Sequence, residues 1–240
     1  MAMLHHGDVE IHYEEHGVGY PVLLIAPGGL RSAIPAWKNA PWRPVEQLAP
    51  AYRVVAMDQR NAGDSRGPVS GADGWSTYTG DQLALLDHLG IDRCHVFGMC
   101  IGGAYILSLL RTAPERFASA VFLQPIGLDG NREAFFEIFD GWRAEQTPLH
   151  PGTSDADWAA FRRNLYGGDD VLWSVPTAEI AAMATPMLVL MGDDLHHPQV
   201  ASRTLAAAAP RATLVERWKQ PEDQPAARAA VEEFLATHTP

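Results

Sequence analysis

Apolar positions along the chain gather into short runs separated by helical spacing. Val22-Leu23-Leu24-Ile25-Ala26, Tyr52-Arg53-Val54-Val55-Ala56-Met57, His95-Val96-Phe97, Ala120-Val121-Phe122-Leu123 and Met187-Leu188-Val189-Leu190-Met191 are the runs. Continuous apolar segments of this length, bounded by Gly or Pro, predict strands buried on both faces, as in a parallel sheet. Residues 78–89 place Leu83, Leu86 and Leu89 at helical spacing and stop at Gly90, and 104–110 read as a second helix. A short helix is expected near 45–49, a last strand over 213–216 and a closing amphipathic helix over 226–235. Val9-Glu10-Ile11-His12-Tyr13-Glu14 alternates in the manner of a half-exposed edge strand, with His5, His6, His12 and His16 facing solvent. Strands alternating with helices imply an α/β fold with a doubly wound, mostly parallel sheet. Ligands of such sheets bind outside the carboxyl ends of the strands.

The alternation breaks over residues 128–185, which are strand-poor and rich in aromatic rings, among them Phe135, Phe139, Trp142, Trp158, Phe161, Tyr166 and Trp173. These rings suit either the wall of an apolar pocket or simple packing onto the core. The expected organisation is one domain, with residues 1–127 and 186–240 forming the core and 128–185 inserted into it.

With 240 residues, 47% of them hydrophobic, the chain suits a single domain with its own core. A formal net charge of −11 with no basic cluster argues against nucleic acid or an anionic membrane as partner. Residues 1–14 have no basic start followed by an apolar run, so no signal peptide is expected, and no apolar segment approaches the roughly 18 residues of a membrane span. The two cysteines, Cys94 and Cys100, would lie on the order of 20 Å apart along one strand, too far for a disulfide. Two reduced thiols with no targeting segment point to the cytoplasm, and the expected partner is a small-molecule substrate. No cofactor is expected, and the oligomeric state, homodimer included, stays open.

The candidate chemistry centres on Gly98-Met99-Cys100-Ile101-Gly102-Gly103. An apolar strand enters it and a helix leaves it, so the thiol sits at the apex of a sharp turn. Glycine at 98 and 102 fits a turn whose backbone segments approach too closely for side chains. A thiol at a helix N-terminus is stabilised as thiolate by free N–H groups and the macrodipole.

On these residues the chain resembles the α/β-hydrolase superfamily, with Cys100 in place of the usual serine. The Gly-x-Cys-x-Gly-Gly form is similar to the elbow of dienelactone hydrolases and polyhydroxyalkanoate synthases. The loop Asp58-Gln59-Arg60-Asn61-Ala62-Gly63-Asp64-Ser65 matches the superfamily's Asp-x-Arg-x-x-Gly-x-Ser pattern, a bracing element. The resemblance implies an α/β-hydrolase fold in which 128–185 is a small helical lid. It implies an oxyanion hole from the backbone N–H groups of Gly29, in Pro27-Gly28-Gly29, and Ile101, directly after the nucleophile. It also implies a triad acid after the strand 187–191. Counting back from Pro198 selects Asp194, with Asp193 as the spare. Arg31, Arg60 and Trp142 are the candidate substrate contacts.

One part of the pattern is missing. The superfamily places its catalytic histidine after the last strand, where this chain reads Arg217-Trp218-Lys219-Gln220-Pro221-Glu222. A nucleophile needs a base within reach, oriented by a third group. Either His196 or His197 serves from the acid loop, or Cys100 works with little help, or the site has left acyl transfer. Metal ligation by the His196-His197 pair with Asp193-Asp194 is disfavoured, since adjacent residues diverge, and no metal is expected. The leading expectation is a hydrolase or acyltransferase acting on a small ester, thioester or lactone through a cysteine acyl-enzyme. The alternatives are a lyase, hydratase or decarboxylase in the same pocket, and a ligand-binding protein without turnover.

Overall fold

A computed structural model of the chain describes residues 2–240. Eight strands form one sheet: β1 (Ala2–His6), β2 (Val9–His16), β3 (Tyr20–Ile25), β4 (Tyr52–Met57), β5 (Cys94–Met99), β6 (Phe117–Leu123), β7 (Met187–Leu190) and β8 (Ala212–Val215). Their order across the sheet is β1-β2-β4-β3-β5-β6-β7-β8. The pairs β1/β2 and β2/β4 are antiparallel and every other pair is parallel. This is the α/β-hydrolase architecture that the sequence implied. Every residue of β5 and β6 is buried, which explains their unbroken apolar runs.

The outer edge differs from expectation. Gly7 turns the chain in a left-handed conformation at φ +59, so that residues 2–6 pair back onto 9–13. β1 is therefore the edge, and β2 is covered on both sides by neighbours. His12 is consequently buried at 4% exposure and not solvent-facing. Its Nδ1 lies 2.9 Å from Asp58 Oδ2.

The helices are α1 (Pro44–Leu48), α2 (Trp75–His88), α3 (Gly102–Thr112), α4 (Arg132–Gln146), α5 (Asp155–Tyr166), α6 (Thr177–Ile180), α7 (Gln199–Ala208) and α8 (Gln224–Thr237). Burial splits into two cores, one on each face of the sheet. α3 carries the larger core with Tyr105, Ile106, Leu109 and Leu110, while Trp37, Trp42, Trp218 and Val231 pack the other face.

Between β6 and β7 the chain forms α4, α5 and α6. Ser154 starts α5 with a capping box, its Oγ accepting from Asp157 N–H at 3.1 Å. Phe139, Trp142, Trp158 and Phe161 interlock α4 with α5, edge to face, at centroid separations such as 5.4 Å for Phe139–Phe161. For these rings, packing is what the structure shows.

The carboxyl ends of four strands align. Ile25 of β3 pairs with Gly98 of β5, Met99 with Leu123 of β6, and Leu123 with Leu190 of β7. β3 leads to β4 on one side and the chain returns through β5 on the other. The crevice between β3 and β5 is thus a topological switch point, where such sheets bind ligands.

Candidate active site

Cys100 stands at the end of β5 with φ +61, a left-handed conformation that costs a non-glycine residue on the order of 1 kcal/mol or more. The surroundings hold it there. Its N–H donates to Leu123 O at 3.0 Å, and its carbonyl accepts from Gly103 N–H at 3.0 Å and Ile126 N–H at 3.3 Å. The flanking glycines leave little room, most strictly at Gly102, where the neighbour is backbone. A Cβ on Gly98 would lie 2.9 Å from Ile106 Cδ1, and one on Gly102 would lie 2.9 Å from Ile25 O. α3 begins at Gly102, so the thiol sits at its N-terminus as the sequence implied.

The loop after β7 folds into a tight turn between Asp194 and His197. Asp194 N–H donates to His197 O at 3.3 Å, and His197 N–H donates to Asp194 O at 3.2 Å. The carboxylate closes the turn from inside, its Oδ1 accepting from the backbone N–H of His196 at 3.0 Å and of His197 at 3.1 Å. The imidazole of His197 then folds onto the same carboxylate, with Nδ1 2.7 Å from Oδ1 and 2.9 Å from Oδ2. Gly192 makes room for this arrangement, since a Cβ there would lie 2.3 Å from His197 O and 2.6 Å from His197 Cβ.

With Nδ1–H donated to Asp194, Nε2 is the free nitrogen of a neutral ring. It is buried and makes no hydrogen bond of ordinary geometry within the protein. The Cys100 sulfur lies close enough for the two groups to shift one another's titration. Burial pushes the thiol up, but the charge of the neighbouring His197, with the N–H groups of Gly28 and Ile101, more than offsets it and leaves the thiol below its usual range. Burial likewise pushes the His197 imidazole down, and Cys100 and then Asp194 more than offset it, leaving it raised. Burial also opposes ionisation of Asp194, whose carboxyl is nevertheless held low by His197 and by the two backbone N–H donors. Opposite shifts on adjacent thiol and imidazole favour transfer of the thiol proton to the ring, toward thiolate and imidazolium. Cys94, buried in β5 away from any such partner, is pushed the other way, to about 12.

The thiol opens onto a cavity of ≈ 270 Å³. Ile101, Ile126, Phe135, Ile138 and Tyr166 form its apolar wall, and Gly28, Gly29, Arg31, His196 and His197 complete it. α4 and α5 supply Phe135, Ile138 and Tyr166, so these helices lie over the nucleophile.

The structure brings together Cys100, Ile101, Gly29, Asp194, His197, His196 and Arg31. The two histidines separate clearly. His197 is bonded to Asp194 and shifts the titration of Cys100, whereas His196 packs edge to face on Phe135 at 5.7 Å and only lines the cavity. Asp193 faces away and pairs with Lys219.

Two expected substrate contacts are corrected. Arg60 does not line the cavity; it forms a forked ion pair with Asp81 at 2.8 and 2.6 Å, with both side chains largely buried. Trp142 is fully buried between α4 and α5, its indole N–H donating to Asn61 O at 3.3 Å. Arg31 does reach the cavity, while pairing in a fork with Glu145 of α4 at 2.9 and 2.7 Å.

Gly28 is not among the residues singled out from the sequence, yet its N–H, with that of Ile101, helps hold the thiol's titration low. Gly29 is one residue further along, and a Cβ there would lie 3.2 Å from Ile138. Two consecutive glycines were the available signal, but only the turn geometry says which amide points inward. Among the described residues, His12, Asp58 and Asp64 form one cluster with metal-like spacing. The oxygens of Asp58 are already taken by Ile34 N–H at 2.7 Å, Asp64 N–H at 2.9 Å and His12, which makes the cluster a brace. No helix is long and apolar enough to cross a membrane among the described residues.

Comparison with known proteins places these features in context. The family model described as "alpha/beta hydrolase fold" matches residues 21–214. The RutD protein of Azorhizobium caulinodans, named as a carbamate hydrolase, is 35% identical over 140 residues, covering 58% of this chain and 50% of that protein. The 2-hydroxy-6-oxo-2,4-heptadienoate hydrolase of Pseudomonas putida is 29% identical over 165 residues, covering 66% of this chain and 55% of the other. The chain thus spans about half the length of these curated relatives. The crystal structure of the enol-lactonase from Burkholderia xenovorans LB400 superposes with a TM-score of 0.72 at 21% identity, covering 98% of this chain and 100% of that one.

Proposed function

The chain belongs to the alpha/beta hydrolase fold family, and from that premise we propose that it is a hydrolase or acyltransferase working through an acyl-enzyme on Cys100. Its substrate is a small ester, thioester or lactone. The observation that carries this reading is the His197 imidazole, bound through Nδ1 to Asp194 and lining the same cavity as the thiol at its strained apex, close enough for the two to shift one another's titration. It supplies, from the acid loop, the base that the loop after β8 lacks.

The thiolate of Cys100 attacks the carbonyl carbon, and the oxyanion that forms is held by N–H groups at the β3 turn and at Ile101. The C–S bond stays as the bond to the leaving oxygen or sulfur breaks, and the His197 imidazolium gives its proton to the leaving group. Neutral His197 then takes a proton from water, whose oxygen attacks the thioester carbonyl. The C–S bond breaks as the acid departs, which leaves the Cys100 thiolate beside protonated His197. Asp194 holds the ring in the required tautomer and offsets the imidazolium charge.

The cavity supports a small substrate. Its ≈ 270 Å³ is room for roughly nine water-sized groups at about 30 Å³ each. Its apolar wall suits an uncharged acyl body, with α4–α6 acting as a lid that limits water. Relatives named for carbamate, dienoate and enol-lactone substrates agree with attack on an activated carbonyl.

Intact-mass spectrometry after mixing with p-nitrophenyl acetate or an acetyl thioester tests the reading. Wild type is expected to carry one acetyl group, absent from Cys100→Ala and accumulating in His197→Ala. An unmodified wild-type protein that turns over none of these compounds would overturn it.

A further inference from the structure

The segment between β8 and α8 holds no histidine, but it grips the acid loop at two points. Trp218 is buried against Trp42, and its indole N–H donates to Met191 O at 2.7 Å, at the end of β7. Lys219 follows. Its carbonyl is fixed by Gln224 Nε2 at 3.1 Å, and its ammonium turns onto the acid loop. There Nζ pairs with Asp193 and lies 3.8 Å from Asp194 Oδ2. That same Oδ2 is 2.9 Å from His197 Nδ1, so one carboxylate oxygen faces both the imidazole and the ammonium. The Lys219 side chain is only 22% exposed, which limits how far water screens it.

We propose that Lys219 is a positioning residue for the Cys100–His197–Asp194 chemistry. It locks the Asp193-Asp194 turn so that His197 is presented to Cys100, and it offsets part of the carboxylate charge that His197 feels. The proposal rests on the functional reading above for its catalytic meaning, but its physical content can be measured without turnover.

Six groups besides Lys219 face or border His197, one of them the Tyr166 phenol, which lines the cavity from α5. Cys100 approaches from the elbow, Asp194 and His196 belong to its own loop, Arg31 lines the same cavity, and Asp193 lies beyond the carboxylate. Only Lys219 brings a permanent cation to the far side of Asp194. Removing it leaves the full carboxylate charge on the imidazole, so the imidazolium persists to higher pH. A general base that must be neutral then works only at higher pH.

The test is an NMR titration of the His197 ring in the Cys100→Ser background, where the coupled thiol is gone, with Lys219 intact and as Lys219→Met and Lys219→Arg. Lys219→Met is expected to raise the His197 midpoint by about half a pH unit or more. Lys219→Arg restores it, because a cation at the same place suffices. In the Cys100 enzyme the acid limb of kcat moves in the same direction, with KM unchanged. Should Lys219→Met not fold, Lys219→Gln, which keeps a hydrogen-bond donor without the charge, takes its place. A midpoint unmoved by loss of the charge overturns the proposal, even where the melting temperature falls, since a plain tether would do that. The two readings fail separately: a shifted midpoint without acyl adduct sinks only the acyl chemistry, whereas an adduct with an unshifted midpoint sinks only the role of Lys219.

Discussion

Asp194 and His197 meet three residues apart on one turn, the carboxylate accepting the ring Nδ1–H at 2.7 Å and the backbone N–H of the same residue at 3.1 Å. Acid and base thus come from a single loop rather than from two strands' ends. The turn that carries the carboxylate also carries the imidazole, and Lys219 braces that turn from the segment after β8.

Asp194→Asn tests that economy. The amide lacks the charge that sustains the imidazolium and offers a competing N–H to Nδ1. Ester turnover is expected to fall by about 10² to 10⁴, the range over which orienting carboxylates act. The sign of the pH effect follows from the shifts: the His197 value falls, the Cys100 value rises, and the ion pair between them shrinks. Alkylation of Cys100 by iodoacetamide at pH 6 should slow several-fold, while wild type reacts at a lower pH than an ordinary thiol. An unchanged alkylation profile would dissociate Asp194 from the pair.

Gly192→Ala probes the same loop sterically. The new methyl would stand 2.3 Å from His197 O and 2.6 Å from its Cβ, so the turn must move outward. Turnover is expected to drop at least tenfold, with a stability loss of about 1 to 3 kcal/mol from overpacking. Denaturant unfolding alongside ester kinetics checks both, and full activity would mean that the turn shifts without carrying His197 away.

Much of this fold was legible in the sequence because the central strands are buried on both faces and their runs are uninterrupted. The elbow was legible for a related reason: Gly98 and Gly102 stand where the turn leaves little room for a side chain. The site was harder to read. His196 and His197 are adjacent and chemically alike, and only the bond from the His197 ring Nδ1 to Asp194, set against the packing of the His196 ring on Phe135, tells the two apart. Gly28 and Gly29 posed the same problem for the oxyanion turn. β1 went unseen because Ala2-Met3-Leu4-His5-His6 has no strong alternation, and its pairing buried His12 against expectation. Arg60 and Trp142 looked functional because a cation and a large ring in such loops can touch ligands. Their partners, Asp81 and the α4–α5 aromatic cluster, lie far off in sequence and become visible only in the fold.

Arg60→Met should therefore act on stability and not on the site. It leaves Asp81, whose side chain is 2% exposed, as a buried charge without its partner. Breaking such a pair costs about 3 to 5 kcal/mol, and the remaining 14% exposure of Arg60 favours the lower end. Urea unfolding is expected to show that loss, while the pH profile of Cys100 alkylation stays that of wild type below the transition. A changed profile would return Arg60 to the cavity.

His95 gives the fold a pH dependence of its own. The ring is buried in β5, bonded to Ser119 Oγ at 2.8 Å and Thr239 Oγ1 at 3.0 Å, and enclosed by Tyr20 and Tyr52. Burial, with the charges of His238 and Arg93, pushes it down to about 4. The unfolded chain takes up this proton near the ordinary histidine value of about 6.5, the folded chain only near 4, so acid favours the unfolded state in between. The stabilising contribution is complete above about pH 6.5 and is lost progressively as the pH falls toward 4. By pH 5 the loss amounts to about 2 kcal/mol. His95→Gln keeps polar atoms for Ser119 and Thr239 but does not titrate. Urea unfolding at pH 7.5 and pH 5 should show the wild type losing about 2 kcal/mol more than the variant over that interval. Equal losses in the two proteins would mean that His95 is protonated in the folded chain, and that its two hydroxyl partners accommodate the charge.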